Sequence, residues 1–226
     1  MYDNNRAMRI VAESVRTDAV DLIHAHVSKG NSELGKIAGF SLAPLYSCSM
    51  EACAHCGEEG CYAVKNMLCH GYDRTKNNPL NAWTENTVLA IKDLNKLRGE
   101  LVEFFIKYKG DFFRIHPAGD FITKEYAWMW YSIAANFPGI EFLAFTKQWD
   151  IVREVPFWRL PNFHLVPSGW TGIVIPEDIR KGYHCAHCVE KGQTPPEGAM
   201  HCPGSCETCN ACWMLDKLGC DVWFSK

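Results

Sequence analysis

Apolar residues recur at helical spacing over residues 7–27, where Met8, Val11, Val15, Ala19, Leu22 and Ile23 share a face. Lys29, Gly30 and Asn31 then supply a stop. Residues 36–42 read instead as a strand, leading to Pro44. A second helical pattern covers residues 84–98, with Thr84 in the N-cap position and Val88, Ile91, Leu94 and Leu97 on the apolar face. The middle of the chain alternates. Residues 112–116 predict a strand, and Thr123 caps a helix that runs to Asn136 and stops at Phe137-Pro138-Gly139. Residues 141–145 predict a strand, 148–154 a short helix, and 163–166 and 172–175 two further strands.

Strands and helices alternating at this interval predict βαβ units and a parallel sheet. The expected fold class is therefore α/β, with the sheet forming a partial (β/α) barrel. Near residue 177 the pattern lapses. Residues 180–212 are rich in Cys, Gly, Pro and His, a composition that metal orders more readily than an apolar core does. Residues 221–225 return as a last strand. The chain divides into an α/β domain over 1–176 and a cysteine-rich extension over 177–226, packed on the same domain.

Composition narrows the class. The chain has 226 residues, 47% hydrophobic and 22% charged, enough for a core without cross-links. The net charge of −3 gives no basic footprint, which argues against a nucleic-acid partner. No apolar run approaches the roughly 20 residues of a membrane span. The N-terminal stretch is polar and mixed in charge, unlike a signal peptide. The expected location is the cytoplasm, where thiols stay reduced.

That location makes the twelve cysteines informative. Cys48, Cys53, Cys56, Cys61 and Cys69 precede a long interval without cysteine; Cys185, Cys188, Cys202, Cys206, Cys209, Cys212 and Cys220 follow it. Disulfide frameworks belong to short secreted chains. Cys69 and Cys220 fit the role of small buried hydrophobes; the other ten are packed too tightly along the chain for that. The run Cys202-Pro-Gly-Ser-Cys206-Glu-Thr-Cys209-Asn-Ala-Cys212 is the bacterial ferredoxin spacing reversed, and four thiolates so spaced can wrap a [4Fe-4S] cubane. The competing reading is zinc, with Cys185-Ala-His-Cys188 and Cys209-Asn-Ala-Cys212 as paired knuckles. A second run, Cys48, Cys53, Cys56 and Cys61, follows a predicted strand, where α/β folds place their sites. With three ligands its cluster keeps an iron open to substrate; with four it is closed.

If the middle strands are parallel, Asp120, Thr146, Lys147, Ser168 and Trp170 converge on one rim. Asp120 and Lys147 are the candidate catalytic residues, and Asp120, Thr146, Ser168 and Trp170 the candidates for binding a small ligand. The alternative is that Asp120 caps a helix while Thr146 and Ser168 serve turns. His116 and His164 lie inside strands and read as hydrogen-bonded core histidines. His55, His184, His187 and His201 flank cysteines and are ligand candidates. Trp128, Trp130 and Tyr131 are packing residues, and Gly35-Lys36 lacks the full spacing of a phosphate loop.

The segments GNSELGKIAGFSL, CYA at 61–63, FFRIHPAGDF, EFLAFTKQWDIV and CPGSCETCNACW, in that order, resemble a phage- and prophage-encoded family known as gene product eighty-eight. The order of strand, cysteine loop, helix and a strand ending in Gly119-Asp120 more loosely resembles radical S-adenosylmethionine enzymes. That resemblance implies S-adenosylmethionine bound at an open iron and cleaved to a radical. Asp120 then stands like the acidic end of the second-strand Gly-Gly-Glu motif, and the C-terminal cysteines like an auxiliary cluster.

The leading expectation is a redox or radical S-adenosylmethionine-like enzyme with two or three [4Fe-4S] clusters. Its partners are an electron donor such as a ferredoxin or flavodoxin and a small-molecule substrate, in the cytoplasm of a bacterium or a phage-infected host. The rivals are a non-catalytic electron-transfer or redox-sensing protein and a zinc-stabilised interaction module.

Overall fold

The strands of the middle of the chain take their places in the sheet in the order in which they occur, and the rest of the architecture follows from that. The structure is a computed structural model; it describes residues 4–16, 18–49, 61, 63–64, 79–170 and 172–225. Val27–Ser28 (β1) lies antiparallel to Ala38–Phe40 (β2). Parallel partners then follow in turn: Phe112–Ile115 (β3), Glu141–Thr146 (β4), Phe163–Gly169 (β5) and Ala186–Val189 (β6). Met200–His201 (β7) and Val222–Ser225 (β8) complete an open sheet in the order β1-β2-β3-β4-β5-β6-β8-β7. The fold is mixed α/β with a mostly parallel sheet, and the sheet does not close into a barrel.

The helices are Asn4–Val15 (α1), Pro79–Lys92 (α2), Leu94–Lys107 (α3), Lys124–Asn136 (α4), Trp149–Glu154 (α5) and Glu177–Arg180 (α6). Consecutive parallel strands joined by crossovers of one hand put every connecting helix on one face. Leu89, Leu97, Phe105, Trp130, Ile133, Ile151 and Ile179 from α2 to α6 accordingly pack in one cluster with Phe40, Phe113, Phe142, Phe163 and Leu165 of the strands.

Alternation along the strands sends the intervening side chains the other way. Leu143, Val166, Ala186 and Val222 form a second core with Leu34, Ile37, Trp213 and Leu215. A parallel sheet needs cover on both faces. Among the described residues no helix of the β2-to-β6 crossovers reaches this one; the crossover from β7 to its parallel neighbour β8 runs back along the sheet and so falls on this side. Its cover is the chain between β7 and β8: Cys206–Cys209 (α7), the 3-10 turn Ala211–Trp213 and Leu215–Leu218 (α8). Trp213 is fully buried there, edge-on to Phe112 at 5.4 Å, and its indole N–H donates to the Glu141 carbonyl at 3.0 Å.

Several expected elements stand where the pattern puts them, β3, β4, β5, α4, α5 and β8 among them. Thr123 caps α4, its hydroxyl accepting from the Tyr126 N–H at 3.1 Å. The pattern over 84–98 is two helices, not one. Asp93 leaves helical geometry at φ −146° and accepts from the Lys96 N–H, so α2 ends and α3 begins there. The helix expected over 7–27 stops at Val15, with a separate 3-10 turn at Val20–Leu22. Residues 172–175 form no strand. Trp170 and Ile173 exchange backbone hydrogen bonds across a tight turn, with Gly172 at φ +75°, and the next strand is β6. Among the described residues no helix is long and apolar enough to cross a membrane.

Trp213 anchors the cover on the sheet, so Trp213→Ala should cost about 3–5 kcal/mol of unfolding free energy. Urea denaturation followed by circular dichroism measures it. A loss below about 1 kcal/mol would show that the cover adds little to the second core.

Candidate functional site

The site grows from the ends of β3, β4 and β5. After β3 the chain turns sharply through His116, at φ 56°, and Gly119, at φ 85°. A Cβ on Gly119 would lie 2.6 Å from the Ser47 Oγ and 2.9 Å from the Leu42 carbonyl oxygen. Only glycine allows so close an approach of the segment that leads to the first cysteine run.

The turn delivers Asp120, buried, to the end of β4. Its carboxylate accepts from the Thr146 hydroxyl at 2.7 Å, the Lys147 N–H at 2.8 Å and the Phe121 N–H at 2.7 Å. Its own N–H donates to the Ser47 Oγ at 3.2 Å. Burial pushes the carboxyl up to about 6, against the bonds from Lys147, Thr146 and Phe121 that favour the anion. Asp120 is thus a bracket between two strand ends and the 42–47 segment.

Thr146 points to the helix side with Asp120, and the next residue faces the other way. The Lys147 Nζ donates to the Ser168 Oγ at 3.2 Å and sits 5.7 Å from the centre of the Trp170 ring. The five rim residues therefore do come together, divided between two sides: Asp120 and Thr146 buried, Lys147, Ser168 and Trp170 on the wall of a cavity of about 510 Å³.

Cysteines line it as well. Cys188 on β6, Cys202 after β7 and Cys206 at the start of α7 line the same cavity, with Arg114 and Glu33. Cys206 donates its N–H to the Glu33 carbonyl at 2.8 Å, and Cys202 to the Trp223 carbonyl at 2.8 Å, so backbone bonds fix both. Asn210, left-handed at φ 52°, turns the chain from α7 into the 3-10 segment that holds Cys212.

The thiols of Cys202, Cys206, Cys209 and Cys212 lie within electrostatic reach of one another. Burial raises Cys202 and Cys206 and pushes Cys212 up to about 12, neighbouring thiols add to the rise, and the Arg114 guanidinium opposes it at all three. Among the described residues no three His, Cys, Asp or Glu side chains are gathered as a single-ion site. The donor set fits an iron–sulfur cluster: four thiols from one short segment, half-buried, beside a guanidinium that offsets thiolate charge.

The other cysteines stand apart. Cys185 is buried in the helix-side core, its N–H donating to Asp221 Oδ1 at 2.9 Å, and burial pushes its thiol up to about 12. Cys185 and Cys188 thus point to opposite faces of the sheet, so they do not form one knuckle with Cys209 and Cys212. Cys61 packs with Val11, Ala43, Leu45 and Val64, and Cys48 is half-buried at the end of the 42–48 segment. Cys53, Cys56, Cys69 and His55 lie outside the described residues.

Histidines beside cysteines have partners of their own. His187 Nε2 lies 2.7 Å from Asp221 Oδ2, and His184 Nδ1 3.6 Å from Oδ1 of the same carboxylate. The His201 ring lies 4.1 Å from that of Trp223. His164 pairs with Glu141 at 2.7 Å. His116 lies 2.8 Å from the Tyr126 hydroxyl, and burial, helped by Arg114, lowers it to about 3. Arg114 and Glu33 escaped the sequence reading, although a lone arginine in the apolar run Phe112-Phe113-Arg114-Ile115 is a legible anomaly.

A family model described as Gene product 88 matches residues 16–171, which takes in the whole rim and stops short of the C-terminal cysteines. No curated protein and no solved structure matches the chain, so the looser resemblance to radical S-adenosylmethionine enzymes has no relative behind it.

The Asp120 carboxyl tests the bracket. Its folded value of about 6 lies above the ordinary 3.8, so the protonated form favours folding. That contribution is fully present below the ordinary value and is lost as pH rises through about 6. Between pH 4 and pH 7 the natural protein should lose ~1–3 kcal/mol relative to Asp120→Asn. Urea titrations of both proteins across that range measure it, and a difference constant with pH would mean that Asp120 is ionised throughout.

Proposed function

The chain belongs to the Gene product 88 family, and from the geometry of its own cavity we propose that it is an iron–sulfur redox protein whose cluster borders a small-molecule site. The observation that carries this reading is the shared cavity. Cys202 and Cys206 of the C-terminal run line it together with Lys147 and Ser168 of the strand ends, while Cys212 faces a neighbouring pocket with His164 and Leu215. A purely structural metal site gives no reason for a cavity that also gathers Lys147 and Ser168.

Cys202, Cys206, Cys209 and Cys212 would hold a [4Fe-4S] cluster. Such a cluster supplies one-electron transfer at a potential set by its surroundings. Arg114 offsets the negative charge of the thiolates, and stacking on the Phe145 ring at 4.1 Å keeps the guanidinium in place. Trp213 and Leu215 keep water from the inner side of the run. Across the cavity Lys147 and Ser168 bind and orient a ligand, while Asp120 positions Lys147 through its backbone. Cys48, Cys53, Cys56 and Cys61 are the proposed ligands of a second cluster near the end of β2. The narrower S-adenosylmethionine version would depend on that second cluster having an open iron. An electron donor of the ferredoxin or flavodoxin kind would be the partner, in the cytoplasm of a bacterium or an infected host.

Zinc is the competing metal. The paired-knuckle form of that reading needs Cys185 beside Cys209 and Cys212, whereas Cys185 belongs to the other core.

Anaerobic purification after iron-replete expression, with iron, sulfide and zinc assays and an absorption spectrum, is the test. The protein should be brown, with about four iron and four sulfide per cluster. The double variant Cys206→Ser/Cys212→Ser should lose one cluster's worth of both, and Cys185→Ser should lose neither. A colourless protein holding stoichiometric zinc would overturn the reading, as would full iron in the double variant.

A further inference from the structure

The cavity is large for what its walls require of each other. At about 510 Å³ it lies in the range of sites that enclose metabolite-sized ligands. Its polar groups are few and unevenly placed. Arg114 acts on the thiols: it opposes the rise at Cys202, Cys206 and Cys212 alike. Glu33 lies on the same side and acts on Cys202 and Cys206. Lys147 is not among the groups that act most strongly on these thiols. Among the described residues its ammonium makes no salt bridge; it contacts the Ser168 hydroxyl and the Trp170 ring and acts at longer range on the Asp120 carboxylate.

Its place is nonetheless fixed. The Lys147 N–H donates to Asp120, Thr146 beside it is bound by the same carboxylate, and Gln148 donates its N–H to the Thr146 Oγ at 3.0 Å. A long, flexible cation is thus held at its root, with one hydroxyl beside its tip. Such a pair offers donors to the two oxygens of a carboxylate. The Arg114 guanidinium lines the same cavity but lies over the Phe145 ring at 4.1 Å and acts on the thiols, so at Lys147 a phosphate finds only these two donors, fewer than such groups usually gather. Phe145 and Phe224 also line the cavity, in edge contact at 5.8 Å and with Arg114 over Phe145, so the body of the ligand should be apolar and ring-sized.

We propose that Lys147, Ser168 and Trp170 form the binding site for a small aromatic carboxylate, its oxygens on the lysine and serine and its ring against Phe145 and Phe224. The proposal rests on the small-molecule half of the function proposed above and does not depend on its metal.

The test titrates the full-length protein, as isolated, with naphthoate, naphthamide and naphthyl phosphate, following tryptophan fluorescence and calorimetry. Iron and sulfide are assayed in the same samples. Naphthoate should saturate one site. Naphthamide should bind on the order of tenfold to a hundredfold more weakly, and Lys147→Met should weaken naphthoate by a similar factor while leaving naphthamide unchanged. Lys147→Arg should restore most of the affinity, and circular dichroism of each variant should match the natural protein.

Absence of naphthoate binding at millimolar concentration overturns the proposal. So does equal affinity for the amide, tighter binding of the phosphate, or naphthoate binding that survives Lys147→Met. Naphthoate binding in protein that lacks iron and sulfide after the anaerobic, iron-replete preparation given above would sink the cluster reading and leave this one standing.

Discussion

Winding the chain in one direction leaves one face of a parallel sheet without helices, and much of this structure answers that deficit. Strands β2 to β6 are laid down in sequence order, so the crossover helices α2 to α6 that join them pack on the side of Phe40, Phe113, Phe142 and Phe163. The other side presents Leu143, Val166, Ala186 and Val222, which would otherwise face water. In a closed barrel such side chains fill the interior. Here the sheet stays open, and the loop from β7 to β8 folds back across it.

That solution puts chemistry where a barrel would put packing. The strand ends carry the polar residues, as they do in α/β folds generally, and the returning loop carries the cysteines. The cavity between them exists because the loop covers the sheet around Trp213 and Leu215, while the strands end in residues of mixed polarity. Asp120 is the hinge between the two requirements. It is buried because it must tie the β3 turn, the β4 end and the 42–47 segment together, and its three hydrogen bonds leave it little capacity to touch a ligand. The residue that looked most catalytic in the sequence works through its neighbour.

Local signals made the central elements legible. The alternation of β3 and β4, the Thr123 cap and the Phe137-Pro138-Gly139 stop depend on near neighbours, and they appear where the sequence places them. The convergence of Lys147, Ser168 and Trp170 was legible too, because parallel strands in register bring their ends together whatever their side chains. What the sequence concealed depends on distant contacts. Asp93 breaks one helical pattern into two through a cap that competes with continuation. Ala186–Val189 looked like metal-ordered loop because its apolar residues are few, yet pairing with β5 and β8 makes it a strand. Arg114 matters because the β7–β8 loop brings thiols to it, and nothing within β3 announces that loop.

The same loop explains why thiols, rather than a longer helix, close this face. The helices α7 and α8 have four residues each, well below the length at which a helix holds itself together. The loop buries Ala211, Trp213 and Leu215 and little else of its apolar content. Burial of three side chains at one end does not order the residues that lead to them, whose backbone entropy opposes folding at about 1–2 kcal/mol each. A cross-link would, and four half-buried thiols spaced along the loop are well placed to bind one. In the proposed cluster the cross-link and the redox centre are the same object. A cluster held there would cross-link the loop that covers the sheet, and it would border the cavity because the loop lies over the strand ends. Such a cluster would couple stability to function through the four cysteines, where a short, helix-poor stretch of chain covers an apolar face.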